Sequence, residues 1–309
     1  MSPISDGDRL VPPLWFRLGA RVRGVGTITG FLGLCIGMVG ALALPESWFP
    51  DALTFVLTLG GFALLVLGLG LTFAPGAPSM AARAVAPSVV GRWSAINSPA
   101  SHVPSHGTHG HGQTFAIDVV YEPENAARPA FGEGRAFRPP ADFPAFGRQL
   151  LAPADGRVVT IRDTARDHRS RSTWPAVAYM MVEGFVRELA GSRHVLGNYV
   201  VLDLGDGAYA TLAHLQRGSA TVLPDQRVRR GEVIGRCGNS GNSSEPHLHF
   251  QLMDHPWPLI AAGLPFVFTG VSIEGSARHD ALPANDQVMV ATPDPLPSTP
   301  QSPASPHRP

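Results

Sequence analysis

The sequence predicts a two-helix transmembrane hairpin followed by a mainly β domain that carries one helical insertion. Three observations predict it. Residues 25–44 and 52–74 contain no charged side chain. Short β-like runs separated by Gly, Pro and Asn turns fill residues 103–275. One helical run, residues 176–190, interrupts them.

The first apolar run is 20 residues long and the second 23. At a rise of about 1.5 Å per residue, each can cross a hydrocarbon core of about 30 Å. A polar break with Glu46, Trp48 and Asp51 separates them, and Pro75 and Gly76 end the second. A signal peptide has one shorter apolar region and a cleavage site, so two full-length runs indicate a hairpin instead. A pair of buried core helices is the blander alternative, and the complete lack of charge argues against it. Gly26, Gly30, Gly33, Gly37 and Gly40 run down the first span, a spacing that permits close helix packing. Residues 1–24 form an N-terminal arm with Arg9, Arg17, Arg21 and Arg23. Those arginines and the acidic turn favour an N-terminus on the cytoplasmic side. The chain is therefore expected in the cell membrane as a multi-pass protein, with the lipid bilayer as a partner of both helices.

The 309 residues carry 24 basic and 24 acidic side chains, a formal net charge of zero, which gives no reason to expect a nucleic-acid partner. Every basic residue is arginine; lysine is absent. Cys35 lies in an apolar span and Cys237 in the polar half, so no disulfide is expected and no thiolate metal site can form. A metal here would need nitrogen and oxygen ligands.

Residues 75–102, rich in Ala, Pro and Ser, read as a linker. In the domain that follows, strands are expected over residues 115–120, 157–161, 199–204, 208–214, 227–234 and 247–252. The helix at 176–190 lies in an insertion that opens with Arg162, Arg166, Arg169 and Arg171, either a solvated decoration or a lid. Residues 276–309 are proline-rich and read as a disordered tail.

Ten of the twelve histidines fall between His102 and His255. Within Pro246-His247-Leu248-His249-Phe250, a strand would put His247 and His249 on one face and Leu248 and Phe250 in the core. One imidazole can then bind a metal while the other works beside it; a pair of solvated histidines is the alternative. His214 ends the run Ala210-Thr211-Leu212-Ala213-His214. In Phe115-Ala116-Ile117-Asp118-Val119, the apolar residues alternate, so Asp118 points away from them. An aspartate in a strand is disfavoured and needs a partner, which a cation would supply.

Together these pieces resemble the lysostaphin-type, or LytM-type, zinc metallopeptidases over residues 103–268. The resemblance extends to Ala152-Pro153-Ala154-Asp155-Gly156, Gly197-Asn198-Tyr199, Arg230-Gly231-Glu232-Val233-Ile234-Gly235 and Cys237-Gly238-Asn239-Ser240-Gly241-Asn242. It implies an antiparallel β-sandwich or barrel-like fold, a Zn2+ ion, and a peptide or peptidoglycan-crosslink substrate cut by a metal-activated water. It implies that a histidine, Asp118 and His249 hold the zinc, with His214 and His247 as the catalytic pair, without saying which is the base. Many relatives place the first histidine four residues before the aspartate, where this chain has Thr114. His106, His109 and His111 are the candidates. Ser105-His106-Gly107-Thr108 is similar to a version of the motif with a longer insertion, which favours His106.

Other classes are weighed by chemistry. Biotinyl-type carrier domains share some of the turns but need a lysine, which this chain lacks. A membrane metal sensor would account for the His-rich stretch 102–111 and not for the ordered blocks after it. A catalytically inactive regulator, or a peptide-binding protein of the cell envelope, would have lost site residues that are present here. The charge rule places the domain in the cytoplasm, whereas a peptidoglycan substrate requires the other side.

Overall fold

A computed structural model of the chain describes residues 11–74, 76–125 and 127–292. Helix α1 (Leu14–Ala43) and helix α2 (Asp51–Phe73) form the expected hairpin, both long and apolar enough to cross a bilayer. Their shared face is made of glycine: a Cβ on Gly61 would sit 2.5 Å from the Leu34 amide nitrogen and 2.8 Å from the Gly30 carbonyl. The large apolar side chains, among them Leu32, Ile36, Phe55, Phe62 and Leu67, point outward and are exposed.

Helix α1 starts within the expected arm, eleven residues before the charge-free run. The arm arginines are bound by the chain itself. Arg21 makes a two-point contact with Asp254 (3.1 and 2.9 Å), Arg17 lies 3.4 Å from the same carboxylate, and Arg23 donates to the Ala261 carbonyl at 2.8 Å. Phe16 and Ala20 pack on Ala262. These cations therefore fasten the hairpin to the domain that follows it.

Among the described residues, that domain has fourteen strands: β1 (Arg83–Val85), β2 (Gly91–Asn97), β3 (Ile117–Tyr121), β4 (Gln149–Leu151), β5 (Gly156–Arg162), β6 (Tyr199–Asp203), β7 (Tyr209–Ala213), β8 (Arg227–Val228), β9 (Val233–Arg236), β10 (Leu248–Met253), β11 (Gly263–Leu264), β12 (Phe266–Ile273), β13 (His279–Ala281) and β14 (Val288–Ala291). Helices α3 (Trp174–Leu189) and α4 (Ser192–Val195) lie between β5 and β6. The main sheet runs β1-β12-β14-β2-β3-β10-β7-β6-β5-β8, with β11 and β13 on its sides, and does not close into a barrel. All its pairings are antiparallel except β1 with β12. Strands β4 and β9 form a separate pair, whose Leu150 and Ile234 enter the same core.

One face of the sheet supplies that core. Ile117 and Val119 of β3, Leu212 of β7, and Leu248, Phe250 and Leu252 of β10 are fully buried in it. Removing a buried ring such as that of Phe250 costs about 3–5 kcal/mol. The intervening residues of the same strands, Asp118, Thr211, Ala213, His249 and Gln251, turn to the opposite face, as a period of two requires.

Two sequence expectations differ from this architecture. The stretch read as a linker contains β1 and β2, and Trp93 of β2 is buried at the core. The stretch read as a disordered tail contains β13 and β14, and β14 pairs with β2 and β12. Proline and alanine around them masked two short runs, Arg92-Trp93-Ser94-Ala95 and Val288-Met289-Val290-Ala291, which pair with each other and with β3 and β12 on their other sides. The remainder of the tail, from residue 293, lies outside the described residues.

Candidate metal and catalytic site

The site lies on the polar face where β3, β10 and β7 run side by side. Register sets it: His249 pairs with Asp118 of β3 on one side and with Ala213 of β7 on the other. His214 follows Ala213 directly, and His247 precedes β10 by one residue. A bulge in β2 brings Asn97 opposite Asp118.

Asp118 is the hub. Its Oδ1 is 2.8 Å from His249 Nδ1 and 3.5 Å from His247 Nε2; its Oδ2 is 2.9 Å from His106 Nε2 and accepts from Asn97 Nδ2 at 2.9 Å. Burial alone would raise this carboxyl, yet His106, His247 and His249 around it hold it well below the usual carboxylate range.

The ring tautomers follow from the outer partners. Gln251 Nε2 donates to the His111 carbonyl at 2.8 Å, so its Oε1 faces His249 Nε2 at 2.8 Å as an acceptor. His249 must then carry its proton on Nε2, leaving the Nδ1 lone pair toward Asp118. Ser105 Oγ donates its one proton to the Ala116 carbonyl at 2.6 Å and so accepts from His106 Nδ1 at 3.0 Å. That leaves the His106 Nε2 lone pair toward Asp118 as well. Two lone pairs therefore converge on a carboxylate, an arrangement of acceptors that a cation between them satisfies. One ligand atom from each of His106, Asp118 and His249 lies within 4.8 Å of the others. Two imidazoles and a carboxylate are a donor set that suits zinc.

His214 and His247 stand beside this triad, their ring centroids 4.7 Å apart. His214 Nδ1 donates to the Ser240 carbonyl at 2.8 Å, and His247 Nδ1 to the Glu245 carbonyl at 2.7 Å. Both keep Nε2 uncommitted to backbone. Burial, then the neighbouring His247 and His249, pushes the His214 pKa well below its ordinary value. Burial also opposes the charged form of His247, but Asp118 and the Glu245 carbonyl outweigh it, and its pKa is raised.

His109 and His111 lie elsewhere. His109 Nδ1 is 3.0 Å from Thr114 Oγ1, its amide donates to the Thr72 carbonyl of α2, and its ring meets Phe16 edge-on. It ties the domain to the hairpin. His111 Nε2 is 2.8 Å from Glu188 Oε1 of α3. Asn97, Ser105 and Gln251 escaped the sequence reading. Gln251 was within reach of it, because it lies two residues beyond His249 on the same strand face; Asn97 was hidden in the supposed linker.

Residues 175–259, from α3 past the end of β10, match the model of peptidase family M23. The chain contains a peptidase M23 domain of the LytM, or lysostaphin, type. The matched span includes His214, His247 and His249, while His106 and Asp118 precede it. The chain is 38% identical over 65 residues to the peptidoglycan DD-endopeptidase ShyA of Vibrio cholerae, covering 21% of this chain and 15% of that protein. It is 35% identical over 77 residues to the DD-carboxypeptidase/endopeptidase Mpg of Neisseria meningitidis, covering 24% of this chain and 17% of that protein. These alignments span less than a fifth of either relative's length. Among solved structures, the catalytic domain of lysostaphin from Staphylococcus simulans is similar over 55% of this chain and 84% of its own, at 18% identity and a TM-score of 0.29.

Proposed function

We propose that the chain is a membrane-anchored zinc metalloendopeptidase that hydrolyses peptide bonds in peptidoglycan crosslinks. The observation that carries this reading is the convergence of the His106, Asp118 and His249 acceptors, with two further histidines beside them. The named activities of ShyA and Mpg support the substrate class.

His106 through Nε2, Asp118 and His249 through Nδ1 would hold the ion. A bound zinc would supply a Lewis acid for the scissile carbonyl and a water of lowered pKa. The rest falls to the chain's own side chains. His214, kept neutral by burial, takes the proton of the attacking water at Nε2. His247, whose protonated form is favoured, donates from Nε2 to the oxygen that becomes negative. Their Nδ1 bonds to backbone carbonyls fix both rings against rotation. Ser105 and Gln251 keep the ligand rings in the tautomers that coordination requires.

The test is metal analysis and digestion of purified peptidoglycan sacculi by the full chain in detergent. Near-stoichiometric zinc and the release of uncrosslinked muropeptides are expected, both lost on chelation and restored by zinc. Bound zinc without any such release would leave a non-catalytic binding protein. Protease shaving of intact cells tests the placement: a domain protected from external protease rules out a cell-wall substrate.

A further inference from the structure

Helix α3 is amphipathic in the wrong sense for a helix facing water. Its charged side chains, Glu183, Arg187 and the half-exposed Glu188, are engaged by the domain. Glu183 pairs with Arg171 at 2.6 Å and with Arg187 at 3.4 Å, Arg187 also donates to the Gly241 carbonyl, and Glu188 holds His111. Its outward face consists of Trp174, Ala178, Met181, Val182, Phe185 and Val186, at intervals of four, three, one, three and one residues. That spacing makes one continuous stripe. Trp174 is 75% exposed, Met181 70% and Val182 68%, so most of the stripe is left uncovered by the described residues. A contiguous apolar patch of this kind marks an interaction surface.

The hairpin indicates what covers it. Phe185 meets Phe31 of α1 edge-on at 6.1 Å between ring centroids. The domain abuts α1 at Gly24, where a Cβ would come within 2.7 Å of Leu259 Cδ1. Phe31 lies seven residues further along α1, about 10 Å by helical rise. Phe185, near the C-terminal end of the stripe, is thus level with the first turns of the charge-free part of α1. That matches the depth of about 5–10 Å at which an interfacial helix buries its apolar face. Aromatic pairs continue the surface: Phe131 meets Trp174 at 5.2 Å, and Phe137 meets Tyr179 at 5.9 Å. Trp and Tyr are enriched at this level of a membrane. Behind the stripe, a cavity of about 540 Å³ is lined by Phe31, Leu69, Phe185 and Leu189 and also by His106 and His111. It joins the apolar side of α3 to the candidate metal site.

We infer that the outward face of α3 is a third bilayer contact, seated in the interfacial layer of the leaflet that α1 enters, which holds the candidate site at the membrane surface. This rests on the reading that α1 and α2 span the membrane.

The full chain with Cys35→Ala, reconstituted in liposomes of phosphatidylcholine and phosphatidylglycerol, tests it by nitroxide accessibility. The remaining Cys237 is buried, and burial pushes its thiol pKa up, so it does not compete for label. Labels are placed by Val182→Cys and Val186→Cys on α3, Leu59→Cys on α2 and Arg229→Cys in the loop between β8 and β9; all four positions are exposed. Labels at 182 and 186 are expected to collide more with oxygen than with a water-soluble nickel chelate, as at 59 and opposite to 229. If 59 is lipid-like while 182 and 186 are water-like, the α3 contact is wrong and the hairpin reading stands. If 59 is also water-like, the hairpin reading fails and takes this inference with it. If 182 is shielded from both agents with spin–spin broadening, a second copy covers α3 and the inference is overturned.

Discussion

Gln251 accepts from His249 Nε2 at 2.8 Å while donating to the His111 carbonyl, which forces the His249 lone pair onto the side of Asp118. A ligand ring held in this way binds its ion more tightly than one free to change tautomer or rotate. Gln251→Ala is therefore expected to weaken zinc affinity by about 10–100-fold while leaving the fold intact. Competition against a chelator of known affinity measures it. Unchanged affinity would mean that the strand backbone alone orients His249.

The three upstream histidines separate by what they touch. His106→Ala is expected to lose the ion, because it removes one of three ligands. His111→Ala is expected to keep it and to release Glu188, whose carboxyl burial raises and whose His111 partner brings below the ordinary value. His109→Ala is expected to keep the ion and loosen the domain from the hairpin, since it removes the ring that meets Phe16 of α1 edge-on while the backbone amide can still donate to the Thr72 carbonyl. Metal content of the three purified variants decides the assignment.

His214→Ala and His247→Ala are expected to retain zinc and to lower turnover by about 10²–10⁴-fold, the range for removing a group that moves a proton in the transition state. The reading fails for whichever variant keeps full turnover. Metal content measured on the same preparations separates lost chemistry from lost metal.

Much of this site was legible because strand periodicity is short and regular. The alternation around His247, Leu248, His249 and Phe250 fixed two faces from four residues, and Ile117, Asp118 and Val119 did the same on β3. The register that sets His249 opposite Asp118 is a property of the pairing, and no local pattern encodes it. His106 sits in an irregular segment with Gly107 in the left-handed region at φ 68°, where no period tells which histidine faces inward. Strands β2 and β14 were illegible for a related reason: β2 (Gly91–Asn97) mixes Arg, Ser and Asn with its apolar residues and β14 (Val288–Ala291) is only four residues long, so neither shows a clean alternation, and each is stabilised by strands distant in sequence. Helix α3 was legible as a helix, but its exposed apolar face defeats the rule that apolar residues face in.

His168 gives the fold a pH dependence of defined sign. It is buried, with Nε2 donating to the Gly241 carbonyl at 2.8 Å and Arg171 against Nδ1. Burial, assisted by Arg171, lowers its pKa from the ordinary 6.5. Above about pH 6.5 the ring is neutral in both folded and unfolded chains, and its contribution to stability is fully present. As pH falls below 6.5, the unfolded chain takes up a proton that the folded one resists, so stability declines until the folded pKa is passed. His168→Gln, which can still donate to Gly241, is expected to reduce the loss of thermal stability between pH 7 and pH 5. An identical acid decline in both proteins would assign the effect to other groups.

Adjacent glycines of α2 predict opposite outcomes for the same substitution. At Gly60 an added Cβ meets nothing within 4 Å, whereas at Gly61 it meets the Leu34 amide at 2.5 Å and the Gly30 carbonyl at 2.8 Å. Gly60→Leu exchanges a poor helix former for a good one on an open face, a gain of up to about 1 kcal/mol. Gly61→Leu gains the same propensity but must push α1 and α2 apart, and overpacking of this kind costs about 1–3 kcal/mol or more. Arg17, Arg21 and Arg23 tie α1 to Asp254 and Ala261, and Thr72 of α2 accepts from the His109 amide, so separating the helices also strains their seat on the domain. Thermal melting of the detergent-solubilised chain is expected to rise or hold for Gly60→Leu and to fall for Gly61→Leu. Equal melting for the two would mean that the helices do not pack through this glycine face.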